Sequence, residues 1–428
     1  MIKRIFLSIF IVLFYLSTAF AATEFTATVK SSGGDYTTLQ LAETGLQNDI
    51  TAATIKVFSI SAYTTPTLVA GDTVLGQTSA ATGVVVLVNA ARTQILIKTI
   101  AVAAFQSGEV VKKTTDAAVT VTLSNAGDSP IIGIACYASA APDGATTIDG
   151  STTSATNYIK IYTPTSERHS GVYNTSKYRI ETTLNATPIV VSDGHVQIDG
   201  LQLYLTSSNA ASPIILKFQE TASAIVAQYY ITNNIIRGHT GSAQATYRGI
   251  FLYDTGGAGS TAYIYNNLIY DISSTGDTSE LGIEIFDSSF SWYLYNNTIR
   301  DITGRGVYIN GTNTVYMKNN LFDNNTGLNV SGTVDNSSNN NGADDALGYT
   351  CTCGANDRAS VATVFVAESE DDFHLSPADT GSRNYGTSLA GTFTTDVDGQ
   401  TRPGQGTWDI GFDEVFPNSM RFNFEDWE

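Results

Sequence analysis

Tyr263-Ile264-Tyr265-Asn266-Asn267 is the stretch whose reading decides the fold, because it recurs. Tyr230-Ile231-Thr232-Asn233-Asn234 precedes it, and Tyr293-Leu294-Tyr295-Asn296-Asn297 and Tyr316-Met317-Lys318-Asn319-Asn320 follow. The Asn pairs stand 33, 30 and 23 residues apart, and recurrence on this scale marks a repeat architecture. A Gly-led element runs alongside: Gly249-Ile250-Phe251-Leu252-Tyr253-Asp254, Gly282-Ile283-Glu284-Ile285-Phe286-Asp287, then Gly306-Val307-Tyr308-Ile309-Asn310. The shortest interval suits one bare turn of a β-solenoid, and the longer two carry loop insertions.

Within each element apolar residues alternate with period 2, the signature of short half-buried strands. Ile250 and Leu252, Ile283 and Ile285, and Val307 and Ile309 point one way. Ile231, Ile264, Leu294 and Met317 are expected to form one buried column, with Asn233, Asn266, Asn296 and Asn319 in a second column beside it. Asn tolerates the left-handed backbone of a tight bend and can hydrogen-bond its equivalent one coil away. Of 28 Asn in the chain, 17 fall between Asn233 and Asn341, where such ladders would sit. No clear 3.6-residue period competes. The fold class expected from this pattern is all-β, a parallel β-helix.

Working outward, composition agrees. Only 14% of the 428 residues are charged, against about 25% in an average soluble protein. The formal net charge is −18, which repels phosphate backbones and excludes nucleic acid as the leading partner. Lys3-Arg4, an apolar run from Ile5 to Leu16, and Ala19-Phe20-Ala21 read as a signal peptide over 1–21, with a mature chain starting at Ala22. The run is too short to span a bilayer, so a secreted, extracellular or cell-surface protein, not integral to a membrane, is expected.

Several chemistries have no motif here. There is no H-E-x-x-H, G-x-S-x-G, P-loop or G-x-G-x-x-G after a strand. Cys351-Thr352-Cys353 reads as too closely spaced for an ordinary disulfide, and Cys136 is distant. Asp396 and Asp398-Gly399 hint at a calcium loop, but the ligand spacing stops there and a turn is expected.

The repeat, as G-I-x-I-x-(D/N) with Y-I-Y-N-N-x-I-x-D, resembles the right-handed parallel β-helix family that includes pectate-lyase-like proteins. Tyr158-Ile159-Lys160-Ile161-Tyr162 and Val196 to Leu203 resemble its early coils, and Ser32 to Leu39 its opening and cap. Phe373-His374-Leu375, Asp396 to Pro403 and Trp408 to Glu414 resemble a common closing segment. Ser376 to Gly381 departs from the family's more regular turn. Between them, Leu68 to Val74 echoes Phe105 to Val111 around strand-rich runs joined by Gly turns. This stretch resembles short β modules of virion-associated proteins. The divisions expected are a cap and first coil over 22–65, the small inserted β module over 66–125, the right-handed parallel β-helix over 126–345, and a closing segment over 346–428.

Alternation also assigns the outward side chains. Tyr230, Tyr263, Tyr293 and Tyr316 form one column, with Thr232, Tyr265, Tyr295 and Lys318 beside it. Tyrosines there read as a platform for sugar rings, Tyr263, Tyr265, Tyr293 and Tyr295 foremost and Tyr308 on the other element. The same columns also read as an aromatic ladder covered by a loop or by the module. On the Gly-led element Phe251, Glu284 and Tyr308 align, with Arg248 and Arg305 ahead of the glycines. A polysaccharide lyase needs a base and a cation to neutralise a uronic carboxylate. Arg248, Glu284, Arg305, Asp254 and Asp287 are the candidates, with Ca2+ a candidate ligand of the acids; two close carboxylates also suit glycoside hydrolysis. Charged residues capping strands at coil corners are the competing account, and no R-x-P-x-x-R signature is found. The function expected is binding of an extracellular polysaccharide along the solenoid face, with cleavage left open. The alternative is a non-catalytic surface or virion-associated structural or adhesion protein.

Overall fold

The computed structural model describes residues 22–100, 103–183, 186–207, 213–219, 226–241, 246–253, 257–274, 278–286, 290–311, 313–404 and 406–416. The expected signal segment, 1–21, lies outside them. Among the described residues the chain is nearly all β, with one α-helix, Leu39–Leu46. No helix there is long and apolar enough to cross a membrane.

Three parallel sheets dominate, of eight, seven and seven strands among the described residues. The first sheet holds the Tyr-led strands Gln228–Thr232, Ser260–Tyr265, Phe290–Tyr295 and Thr314–Lys318. The second holds the short strands that follow each Asn pair, such as Leu268–Tyr270 and Thr298–Arg300. The third holds the Gly-led strands Arg248–Leu252, Leu281–Ile285 and Arg305–Ile309. From Ile159 onward the chain visits first, second and third sheet in that order and then repeats. This winding is compatible with a β-helix.

The inward residues stack as alternation requires. Ile231, Ile264, Leu294 and Met317 are consecutive register partners and are fully buried. Val307, Ile283 and Ile250 stack likewise on the third sheet. Gly249, Gly282 and Gly306 are Gly for lack of room: a Cβ would meet the next coil's backbone oxygen at 2.5 Å at the first two and 2.6 Å at the third.

Each Asn of the corner pairs has its own task. Asn233, Asn266, Asn296 and Asn319 take positive φ between 48° and 57°, the bend that alternation alone cannot make. The second Asn builds the inner ladder. The Asn267 backbone N–H and Nδ2 donate to Asn297 Oδ1 at 3.1 and 2.9 Å, and Asn297 donates likewise to Asn320. Asn297 Nδ2 also donates to the Ile264 carbonyl at 2.8 Å. The ladder runs from Asn234 to Asn341, every member fully buried.

The insert is a closed six-stranded antiparallel barrel with its own core around Phe58, Val85, Ile95 and Val121. It begins earlier than residue 66, because its first strand is Ile55–Tyr63. That strand serves two cores: Ile55 and Val57 pack into the main body, and Phe58 into the barrel. The helix Leu39–Leu46 is N-capped by Thr38, whose hydroxyl accepts from Leu41 N–H at 3.2 Å, and buries Leu39, Ala42 and Leu46 against the main core. The cysteine reading is corrected: Cys351 and Cys353 are disulfide-bonded, their Cα atoms 5.2 Å apart and so within bridging reach.

Candidate functional site

The two outward faces singled out by alternation fare differently. On the first sheet, Tyr230, Tyr263, Tyr293 and Tyr316 are register partners and half-buried. Their rings lie 4.6 to 5.0 Å apart and within 9° of parallel. Each inner ring therefore spends both faces on its neighbours, and a sugar would meet ring edges and hydroxyls. The expected face-on packing is not what this column offers.

The neighbouring column is covered. Phe393, from the closing segment, lies 4.4 Å from the Tyr265 ring and parallel to it, with Trp408 packed behind at 5.2 Å. Tyr295 is only 7% exposed in the same cluster. Burial, then the nearby Asp199 carboxylate, pushes the Tyr265 hydroxyl up to about 12. Tyr265 and Tyr295 are thus not the open platform the sequence suggested. The cover is fastened through the bend asparagines. Asn266 Nδ2 donates to the Thr395 carbonyl, Asn296 Nδ2 to those of Asp409 and Gly411, and Asn319 Nδ2 to that of Thr387, all within 3.0 Å.

The third sheet presents a different surface. Phe251, Glu284 and Tyr308 are consecutive register partners, with Lys217 before them. Tyr253 and Phe286, just beyond two of these strands, are 42% and 44% exposed. The Phe251, Tyr253 and Phe286 rings lie 5.3 to 6.5 Å apart, inclined at 25° to 66°. Tyr253 and Phe286 are the exposed members, while Phe251 stacks on Tyr253 and carries Arg248 on its ring. Arg248 lies over Phe251 at 4.8 Å, and two strands on Arg305 lies over Tyr308 at 4.9 Å.

Of the residues proposed for catalysis, the structure brings Arg248 and Glu284 together. Arg248 Nε donates to Glu284 Oε2 and its Nη1 to the Thr246 carbonyl at 3.0 Å. Glu284 is buried and Arg248 half-buried. The base and the cation a lyase would use are therefore paired with each other, and an incoming uronate would compete with Glu284 for the guanidinium. Asp254 and Asp287 lie outside the described residues. Tyr253 and Phe286 carried a sequence signal, since they align two positions beyond Phe251 and Glu284, but exposure alone sets them apart. No family model, curated protein or solved structure matches this chain.

Proposed function

We propose that this chain is a secreted right-handed parallel β-helix of the pectate-lyase-like kind that binds an extracellular polysaccharide on its third-sheet face. The observation that carries this reading is the exposed pair Tyr253 and Phe286 beside half-buried Phe251, with Arg248 over Phe251 and Arg305 over Tyr308 two strands on. Contiguous exposed aromatics rimmed by polar groups mark contact surfaces, and rings with free faces suit the C–H faces of sugars. The two arginines suit a uronic carboxylate. The basic start and apolar run of residues 1–21 support secretion, and so does the Cys351–Cys353 bond, which suits an oxidising compartment.

Titration calorimetry with neutral and uronic oligosaccharides at two ionic strengths tests it. Binding should fall at least tenfold in the Tyr253→Ala/Phe286→Ala double variant, and unchanged affinity there would overturn the reading. A steep salt dependence assigns the ligand to Arg248 and Arg305, a shallow one to the rings. The covering of Tyr265 and Tyr295 favours a second reading, a non-catalytic surface or virion-associated protein whose coils act as a rigid spacer. Absence of binding to any glycan in the panel would favour it.

A further inference from the structure

The closing segment gathers side chains that the third-sheet face does not use. His374 lies in the strand Asp372–Leu375, Asp398 in the turn after Val397, and Asp413 in the run that ends the described chain. One ligand atom from each of the three lies within 4.8 Å of the other two. His374 Nε2 and Asp398 Oδ2 are 3.3 Å apart. Two donors bound to one tetrahedral ion at about 2.0–2.1 Å stand at roughly that separation.

The imidazole is oriented for this role. Its Nδ1 faces Asp372 Oδ1 at 2.5 Å, and a carboxylate on one ring nitrogen turns the other nitrogen's lone pair toward a metal. The His374 side chain is 3% exposed, and Nε2 faces Asp398 Oδ2 as an ion pair when the ring is protonated, though out of hydrogen-bond alignment. A divalent ion would take the place of the Nε2 proton, with Asp398 Oδ2 as its second ligand. Gly171, at φ +76°, keeps the approach clear, since a Cβ there would sit 2.3 Å from Nε2.

A second, independent observation points the same way. Asp396 is 1% exposed and its Oδ2 has no hydrogen-bond partner, while its Oδ1 accepts from the Asp398 and Gln400 backbone N–H groups. Arg402 is committed to Glu414 at 3.0 Å, both side chains fully buried. The carboxylates around His374 thus exceed the positive charge beside them, a costly arrangement in a dry interior.

We infer that His374, Asp398 and Asp413 bind one divalent first-row transition-metal ion of the Zn2+ or Mn2+ class, fastening to itself the part of the closing segment that packs on the second sheet through Phe373, Leu375, Val397 and Phe412. An imidazole nitrogen beside two carboxylates favours such ions over Ca2+ or Mg2+, which prefer all-oxygen shells. Asp398, half-buried, gives the ion a route in.

The test uses the tag-free full chain, stripped with a chelator and titrated with Co2+, whose visible bands report coordination. One equivalent should bind, Zn2+ should displace it, and Zn2+ should raise the melting temperature. Asp398→Asn should weaken Co2+ binding at least tenfold, and His374→Gln at least a hundredfold. If His374→Gln does not fold, Asp398→Asn decides. No stoichiometric binding by the folded wild type, unchanged affinity in Asp398→Asn, or displacement of Co2+ by equimolar Ca2+ would each overturn the inference.

Discussion

The outward faces of the first and third sheets are written in the same period-2 alternation, and both place aromatic residues in register. On the first sheet the inner rings stack face to face, and the adjoining Tyr265 and Tyr295 lie under Phe393 and Trp408. On the third, Tyr253 and Phe286 stand open, with Arg248 over the neighbouring Phe251. An aromatic column is thus a docking surface for whatever apolar partner reaches it first. On the first sheet that partner is the protein's own closing segment, and on the third Tyr253 and Phe286 remain exposed.

The sharpest way to break this contrast is to remove the cover. Trp408→Ala should cost about 3–5 kcal/mol, as truncation of a buried Trp does, measured by denaturant unfolding. Acrylamide quenching of tyrosine emission should rise as Tyr265 and Tyr295 become accessible, while binding at the third sheet stays unchanged. Next comes the corner beneath the covered face. Asn297→Ala should cost about 1–3 kcal/mol for each group left unpaired, because the buried Asn267 N–H and Ile264 carbonyl lose their partner. Unaltered stability in that variant would show that the ladder is ornamental.

A smaller effect separates the faces by pH. Burial, then the Glu414 carboxylate, raises Asp409 under the cover to about 7. A carboxyl raised on folding contributes stability that is fully present below its unfolded value of about 4, and that stability is lost as pH rises through about 7. The Asp409→Asn variant should therefore show a flatter decline in melting temperature between pH 4 and 7 than the wild type. An identical slope would mean that Asp409 does not titrate as its surroundings require. Smallest of all, Tyr253→Ala/Phe286→Ala should change stability by no more than about 0.5 kcal/mol, since both rings are exposed. A larger loss would mean that the third-sheet face is covered too.

Strands, their inward residues and the bends between them were legible in the sequence, because each rests on local chemistry. Period-2 alternation says which of Ile264 and Tyr265 points in, and Asn at a left-handed φ says where the chain turns. Tertiary structure alone decided the rest. Which Asn of each pair carries the inner ladder depends on the carbonyls of the coil below. Whether Tyr265 is open depends on the closing segment, hydrogen-bonded at Asn266 by a residue 129 positions on, and no local pattern encodes that approach. The turn at Asp396 was readable, but its convergence with His374 and Asp413 was not, since the three are brought together only when the closing segment folds back. Arg248 and Glu284 were both visible as outward candidates, and only the register of adjacent strands paired them with each other. Local sequence fixes the direction a side chain takes, and the long-range fold fixes what it meets there.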